Sequence, residues 1–342
     1  MTCRRLQFDQ RNAGNVLVLV LWVVIFLSAC AVTLGEQAQL GMALIQHNIR
    51  RDKAYASAWA GIISVLDKLR DDPLTLKKAD PVGSMSFYHD EIAGGRFDVL
   101  YRQDGKIYDG IQGEENKIDL NALTVQTVPV LVQLLQLLGF DEERSRIAAA
   151  SIVDWQDDDQ DPTDHGYGAE DDHYGRLVKP YRCKNAPFDS LEELMLVRGI
   201  SEDLYQKIKD YVTVYPRTKG RLSINVQAAP AVVIQALARS FAGGPDRLTI
   251  DDADELTRKI VDYRRGDDGK EQTDDDRALE AALMGLTASQ KILFLRMLPF
   301  KVDRPNYFTI RSRGAYKTTV VKLEAVIRRQ DLSILAWRMT DD

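Results

Sequence analysis

From Gly14 to Gly35 the chain reads Gly-Asn-Val-Leu-Val-Leu-Val-Leu-Trp-Val-Val-Ile-Phe-Leu-Ser-Ala-Cys-Ala-Val-Thr-Leu-Gly, without a single charge. At about 1.5 Å of rise per residue, about 20 such residues cross the roughly 30 Å hydrocarbon core of a bilayer as one helix. The apolar part of a secretory signal usually ends by about 15 residues. A single spanning helix is therefore expected, with Val16, Leu19, Trp22 and Phe26 among its anchoring residues. Arg4, Arg5 and Arg11 precede it. Positive flanks stay on the cytoplasmic side, so everything after Gly35 is expected on the other side.

Three fates of this segment are consistent with its residues. A cleaved signal peptide needs a small-residue site at its end, and the helical pattern continues past Gly35 without one. Leu27-Ser28-Ala29-Cys30 has the form of a lipoprotein processing site that would acylate Cys30. Against it, Ala31 to Leu34 remain apolar and lead straight into a helix. Gly14 stands between a short basic leader and the apolar run, where a type IV prepilin peptidase would cut to leave Asn15 as the new N-terminus.

The 342 residues are enough for two or three structural units. A net charge of -6 and an Asp-rich middle disfavour nucleic acid or an anionic lipid surface, which both need basic stripes. Of the three cysteines, Cys3 lies in the leader and Cys30 in the span. Cys183 is thus alone outside, and no internal disulfide is expected there.

Glu36 to Leu69 continues the helix. Leu40, Leu44, Tyr55, Trp59, Ile62, Leu66 and Leu69 recur at helical steps, while Arg50, Arg51, Asp52, Lys53 and Lys68 fall elsewhere. Asp71-Asp72-Pro73 ends it, because proline disfavours helical geometry in the residue before it. From Met85 the period becomes two. Strands are expected at Met85 to Asp90, Arg96 to Arg102 and Lys106 to Tyr108, with hairpin turns at Gly94-Gly95 and Asp104-Gly105. The pattern returns at Tyr307 to Arg313, Thr318 to Arg328 and Ser333 to Met339, so one sheet is expected to be interrupted by an insert from Asp119 to Lys301.

The insert repeats itself. Ile118-Asp119-Leu120-Asn121-Ala122 parallels Ile224-Asn225-Val226-Gln227-Ala228, and Ile152-Val153-Asp154-Trp155 parallels Ile260-Val261-Asp262-Tyr263. Leu191 to Ser201 parallels Leu279 to Thr287. The first copy is about twenty residues longer between its second and third landmarks. Those residues hold the densest carboxylates of the chain.

That loop, Asp154 to Tyr174, carries nine acidic side chains. They repel each other unless spread in solvent or neutralised by a hard cation, and both outcomes remain open on the residues alone. Asp157, Asp159 and Asp161 start like an EF-hand, but Pro162 stands where that motif has Gly and Gly168 where it has Glu. Glu170, Asp171 and Asp172 form a second group able to close on the first. Oxygen-only ligands of flexible number favour Ca²⁺. Interleaved Trp155, Tyr167 and Tyr174 suggest that the loop folds against its domain. His165 and His173 make a weak zinc signal without a cysteine pair. Asp267, Asp268, Asp274, Asp275 and Asp276 are expected to cap the next helix. Paired carboxylates in a loop lack the apolar pocket a glycosidase acid needs. No nucleophile-elbow, phosphate-loop or metalloprotease motif is present, so no enzyme is expected.

Ser190-Leu191-Glu192-Glu193 is a capping box opening a helix to Val197, and Arg198-Gly199-Ile200-Ser201 turns into a second helix. This looks like a helix-hairpin-helix, but its second glycine is Ser201 and its surroundings are acidic, which favours packing over DNA. Ile152 to Trp155 running into the Asp-rich loop, Gly168 to Tyr174, Pro180 to Leu194, Phe308 to Ser312 and Leu335 to Arg338 resemble the minor pseudopilin K family of type II secretion systems.

The resemblance covers nearly the whole chain. It implies an α+β, pilin-like fold: a long N-terminal transmembrane and amphipathic helix packed on a small antiparallel sheet, with a large duplicated all-α domain inserted in the sheet. The implied division is 1–14 leader, 15–35 membrane helix, 36–72 amphipathic helix, 85–118 first sheet part, 119–221 and 222–301 the two helical copies, and 302–342 last sheet part. It further implies prepilin processing at Gly14 and Asn15 by the prepilin peptidase, and an inner-membrane anchor. Calcium in the inserted domain is implied too, with Asp157, Asp159, Asp161, Glu170, Asp171 and Asp172 as candidate ligands. The implied partners are minor pseudopilins I and J at a pseudopilus tip; a minor pilin of a related pilus machine is the neighbouring alternative. Most pilins carry Glu five residues after the cut, where it neutralises the N-terminal ammonium of the subunit above. Here that position is Leu19. An unpaired carboxylate in a bilayer would be expensive, so its absence suits a subunit with nothing above it.

Overall fold

A computed structural model describes residues 13–71, 89–92, 94–103, 106–217, 220–244, 246–267, 277–279 and 284–340. Helix α1, Ala13–Asp71, runs unbroken for 59 residues, with neither proline nor a turn cluster to interrupt it. Its N-terminal part is long and apolar enough to cross a membrane, and Val16, Leu19, Trp22 and Phe26 all face outward. Gly14 and Asn15 lie within α1, whereas the basic leader and Met85 to Tyr88 lie outside the described residues.

Strands β1 (His89–Ile92), β2 (Gly95–Gln103), β3 (Lys106–Asp109) and β4 (Gln112–Gly113) follow, then β5 (Ile118–Asp119). The helical part contains α2 (Val128–Leu137), α3 (Glu142–Asp154), the short turns α4 (Thr163–Gly166) and α5 (Asp171–Tyr174), and α6 (Glu202–Ile208). It continues with β6 (Val212–Thr213), α7 (Ala231–Arg239), α8 (Ile250–Arg264) and α9 (Ala288–Met297). Strands β7 (Tyr307–Tyr316), β8 (Thr319–Arg328) and β9 (Ile334–Thr340) close the chain.

The main sheet is antiparallel in the order β1-β2-β7-β8-β9, with β3 also on β2 and β4 on β7. Strands from both ends of the sequence thus pair directly, Phe97 with Gly314 and Gln112 with Thr309, and the helical part is inserted between β4 and β7. The expected alternation is visible in β2, where Phe97, Val99 and Tyr101 face the core. They pack under Ala54, Ala58, Ile62, Val65 and Leu69 of α1.

The helix approaches the sheet closely because the contact positions are small. A Cβ on Gly314 would lie 2.1 Å from the Ala54 carbonyl oxygen and 2.2 Å from the Ala58 nitrogen. Leu40 and Leu44, expected on the same buried stripe, are exposed. The sheet covers α1 only from about Ala54 onward, and periodicity cannot tell which part of an apolar face finds a partner.

A second core fills the insert. Its junction with the sheet is polar. Glu114 follows β4 and pairs with Lys117 at 3.1 Å, both almost fully buried, while the hydroxyls of Thr213 and Thr309 donate to it from the insert and from β7. Burial pushes the Glu114 carboxyl up, but Lys117 and the hydroxyls outweigh it and hold the group below its ordinary range. Beside it, Glu115 accepts from the backbone N–H of Asn306 at 2.8 Å.

Candidate metal centre

Asp141 caps α3 by accepting from the Arg144 N–H at 2.8 Å, and the helix buries Ala148, Ala149, Ile152 and Val153. Its last residue, Asp154, is fully buried. A helix C-terminus is a poor place for an anion, so other groups must compensate. The loop returns to supply one: the Thr163 N–H donates to Asp154 Oδ1 at 3.0 Å. Gln156 anchors the exit of the helix by donating to the Leu120 carbonyl at 2.7 Å.

The carboxylates of Asp154, Asp157 and Glu170 converge, with one oxygen of each within 4.8 Å of the others. Asp154 and Glu170 are buried. Neither Glu170 oxygen has a hydrogen-bond partner among the described residues. Burial, together with the charges of Asp154, Asp157 and Asp159, pushes the Glu170 carboxyl up to about 8. Asp154 is raised as well, mainly by burial. Three acids in one pocket, one with both oxygens orphaned, leave a site that a proton or a hard cation would complete.

Aromatic side chains floor the loop. Trp155 meets Tyr174 edge-on at 5.3 Å, and Tyr174 stacks on Tyr181 at 5.2 Å. Arg146 lies 4.1 Å over the Tyr167 ring and grips Asp164 with two bonds of 2.7 and 2.8 Å. Asp164 and His165 adopt left-handed φ of 54° and 55°, which a non-glycine chain holds only when its surroundings impose it.

The structure places the expected ligand residues unequally. It brings Asp157 and Glu170 together, and joins Asp154 to them. Asp159 faces solvent and accepts from the Asp161 N–H at 2.9 Å, and Asp161 is exposed. Asp171 accepts from the Cys183 N–H at 2.7 Å. Asp172 is 92 % exposed and pairs with Arg176. Alternating acids in an irregular loop do not share a face, and Asp172 leaves the site because it lies in the helical turn that starts at Asp171. The available signal for Asp154 was its place directly after Ile152-Val153, the only acid of the loop attached to a buried apolar run. Neither histidine joins the group. Cys183 is free and buried, its thiol pushed up to about 12 by burial and then by the charge of Glu170. Of the expected caps in the second copy, Asp267 pairs with Arg277, and the others lie outside the described residues.

Downstream, Ser190 and Glu193 form the capping box that spacing indicated, although the segment Leu191–Leu196 is 3₁₀ rather than α. Ser201 caps α6, accepting from the Leu204 N–H at 3.3 Å. Between them Gly199 has φ +84°.

Residues 116–217 match the family described as type II secretion system (T2SS), protein K. Curated proteins of the same description are similar. The one from Pectobacterium carotovorum is 36 % identical over 33 % of this chain and 34 % of its own. That from Klebsiella pneumoniae is 30 % identical over 48 % and 50 %, and that from Aeromonas hydrophila 27 % over 69 % and 70 %. The chain is similar to the type II secretion K proteins. It spans a third to a half of the length of the first two relatives and 70 % of the third. In fold it resembles a chain of the crystal structure of the GspK-GspI-GspJ complex from the enterotoxigenic Escherichia coli type 2 secretion system. The TM-score is 0.62 at 19 % identity, covering 88 % of this chain and 99 % of the other.

Proposed function

We propose that this chain is a non-enzymatic minor pseudopilin of a type II secretion system. It caps the tip of the periplasmic pseudopilus together with minor pseudopilins I and J, and helps start its assembly for export of folded proteins. The observation that carries this reading is α1: one helix whose exposed apolar half leads without a break into a half packed on a sheet. Such a helix serves first as a membrane anchor and later as a strand of fibre core. The neighbour in fold was crystallised with GspI and GspJ, which supports the same partners here. Cleavage after Gly14 would free Asn15. The continuity of α1 through Cys30 favours this over an acylated cysteine, which needs a flexible tether. Anchoring in the inner membrane, with the sheet and insert in the periplasm, follows from the basic leader.

The insert reads as two copies of one helical unit. Its landmarks recur with the same pairing: Ile118 pairs in parallel with Val212, and Ile224 with Lys301. In the first copy we assign Asp154, Asp157 and Glu170, whose carboxylates converge, as ligands of a calcium ion. The ion would supply the neutralisation this pocket lacks and so hold the loop on its domain.

The test is genetic. In a bacterium whose secretion genes encode this chain, its deletion is expected to stop export, and the intact chain to restore it. Unchanged export in the deletion strain contradicts the reading.

A further inference from the structure

The arginine at the turn of the helical hairpin reaches back to the acidic loop. Arg198 Nη1 donates to the Gly168 carbonyl at 2.9 Å and to the Tyr167 carbonyl at 3.4 Å, and its backbone N–H donates to the Tyr174 hydroxyl at 3.3 Å. Two residues beyond Gly168 stands Glu170, and a Cβ on Gly168 would collide with Asp154 Oδ2. The carbonyls held by Arg198 therefore belong to the stretch that brings Glu170 onto Asp154.

The turn is itself fixed to the helix that carries Asp154. A Cβ on Gly199 would lie 2.9 Å from Ile147 Cγ2 and 3.1 Å from the Ala148 nitrogen, so the turn sits hard against α3. The same helix contributes Arg146, which grips Asp164 on the other side of the loop. Both ends of the stretch 164–168 are thus tied by arginines referred to one rigid element.

Resting on the calcium reading above, we propose that Arg198 is a positioning residue for the cation site. The hairpin turn serves as an internal clamp that sets the backbone at 167–168, so that Glu170 meets Asp154 and Asp157 before any ion arrives. Groups that orient ligands without touching the ion typically change metal affinity by about ten- to a hundredfold.

The test uses the full chain in detergent, titrated with calcium chloride by calorimetry, with melting recorded in calcium and in chelator. Arg198→Ala is expected to weaken calcium binding by about tenfold or more. Its melting temperature in chelator should stay within about 1 °C of the parent, a smaller change than its loss in calcium. Arg198→Lys keeps the charge without the planar reach and is expected to fall between the two. Parent-like affinity in either variant overturns the clamp and leaves the calcium reading intact. Equal loss of melting temperature in calcium and chelator also overturns the clamp, since it marks a general packing role. A parent chain that binds no calcium, and is unaffected by Glu170→Gln, removes the calcium reading and the clamp with it.

Discussion

A Cβ added to Gly168 would lie 1.9 Å from Oδ2 of Asp154 and 2.9 Å from the backbone nitrogen of Thr163. The loop can close over the end of α3 only because this position has no side chain, and the closure is what brings Glu170 to Asp154 and Asp157. Gly168→Ala must displace Asp154 or reopen the loop. We expect a loss of about 1–3 kcal/mol, the usual range for overpacking, and a melting temperature that no longer rises with calcium. A variant that melts like the parent and keeps its calcium response would contradict this geometry.

The junction of sheet and insert rests on Glu114 and Lys117. Removing one partner of a buried pair leaves the other charge uncompensated, which typically costs about 3–5 kcal/mol. Lys117→Met should therefore be severely destabilised in urea unfolding, whereas Lys117→Met with Glu114→Gln should recover much of the loss. If the double variant is no better than the single, the two residues are not coupled.

Two further acids at this junction give the protein a pH slope. Burial pushes Asp119 up to about 8 and Glu115 up to about 7, from ordinary values of about 3.8 and 4.5. Between those limits the native state binds more protons than the unfolded chain, so stability falls as pH rises from about 4 to about 8. Asp119→Asn should flatten that decline, read as the difference from the parent in denaturation midpoints between pH 5 and 8.5. Parallel curves would show that Asp119 does not titrate in this window.

The contact of α1 with the sheet depends on Gly314, whose missing Cβ makes room for the Ala54 carbonyl and the Ala58 nitrogen. Both obstacles are backbone and cannot rotate away. Gly314→Val should separate helix from sheet and lower stability by about 3 kcal/mol or more, seen as rapid proteolysis of the full chain in membranes. Parent-like resistance would mean that the helix has another seat.

The long helix was legible because no other structure accommodates so many consecutive uncharged apolar residues, and strands β2, β7, β8 and β9 because alternation survives wherever one face is buried. The acidic loop was legible as a place. Its members were not, because convergence of Asp154 with Glu170 is created by a chain reversal through Asp164 and His165 whose left-handed backbone no local pattern announces. The clamp by Arg198 was hidden for the same reason: it joins residues 30 positions apart through a backbone carbonyl, which leaves no trace in side-chain chemistry. Leu40 and Leu44 show the converse, an apolar periodicity that the fold leaves uncovered in the single chain.

The most direct test of the account is to purify the affinity-tagged chain from solubilised membranes of cells expressing the whole secretion gene set, and to identify by mass spectrometry what comes with it. The expected result is a complex with minor pseudopilins I and J in comparable amounts, lost when either is deleted. A chain recovered without them, from cells in which both are present, would contradict the account.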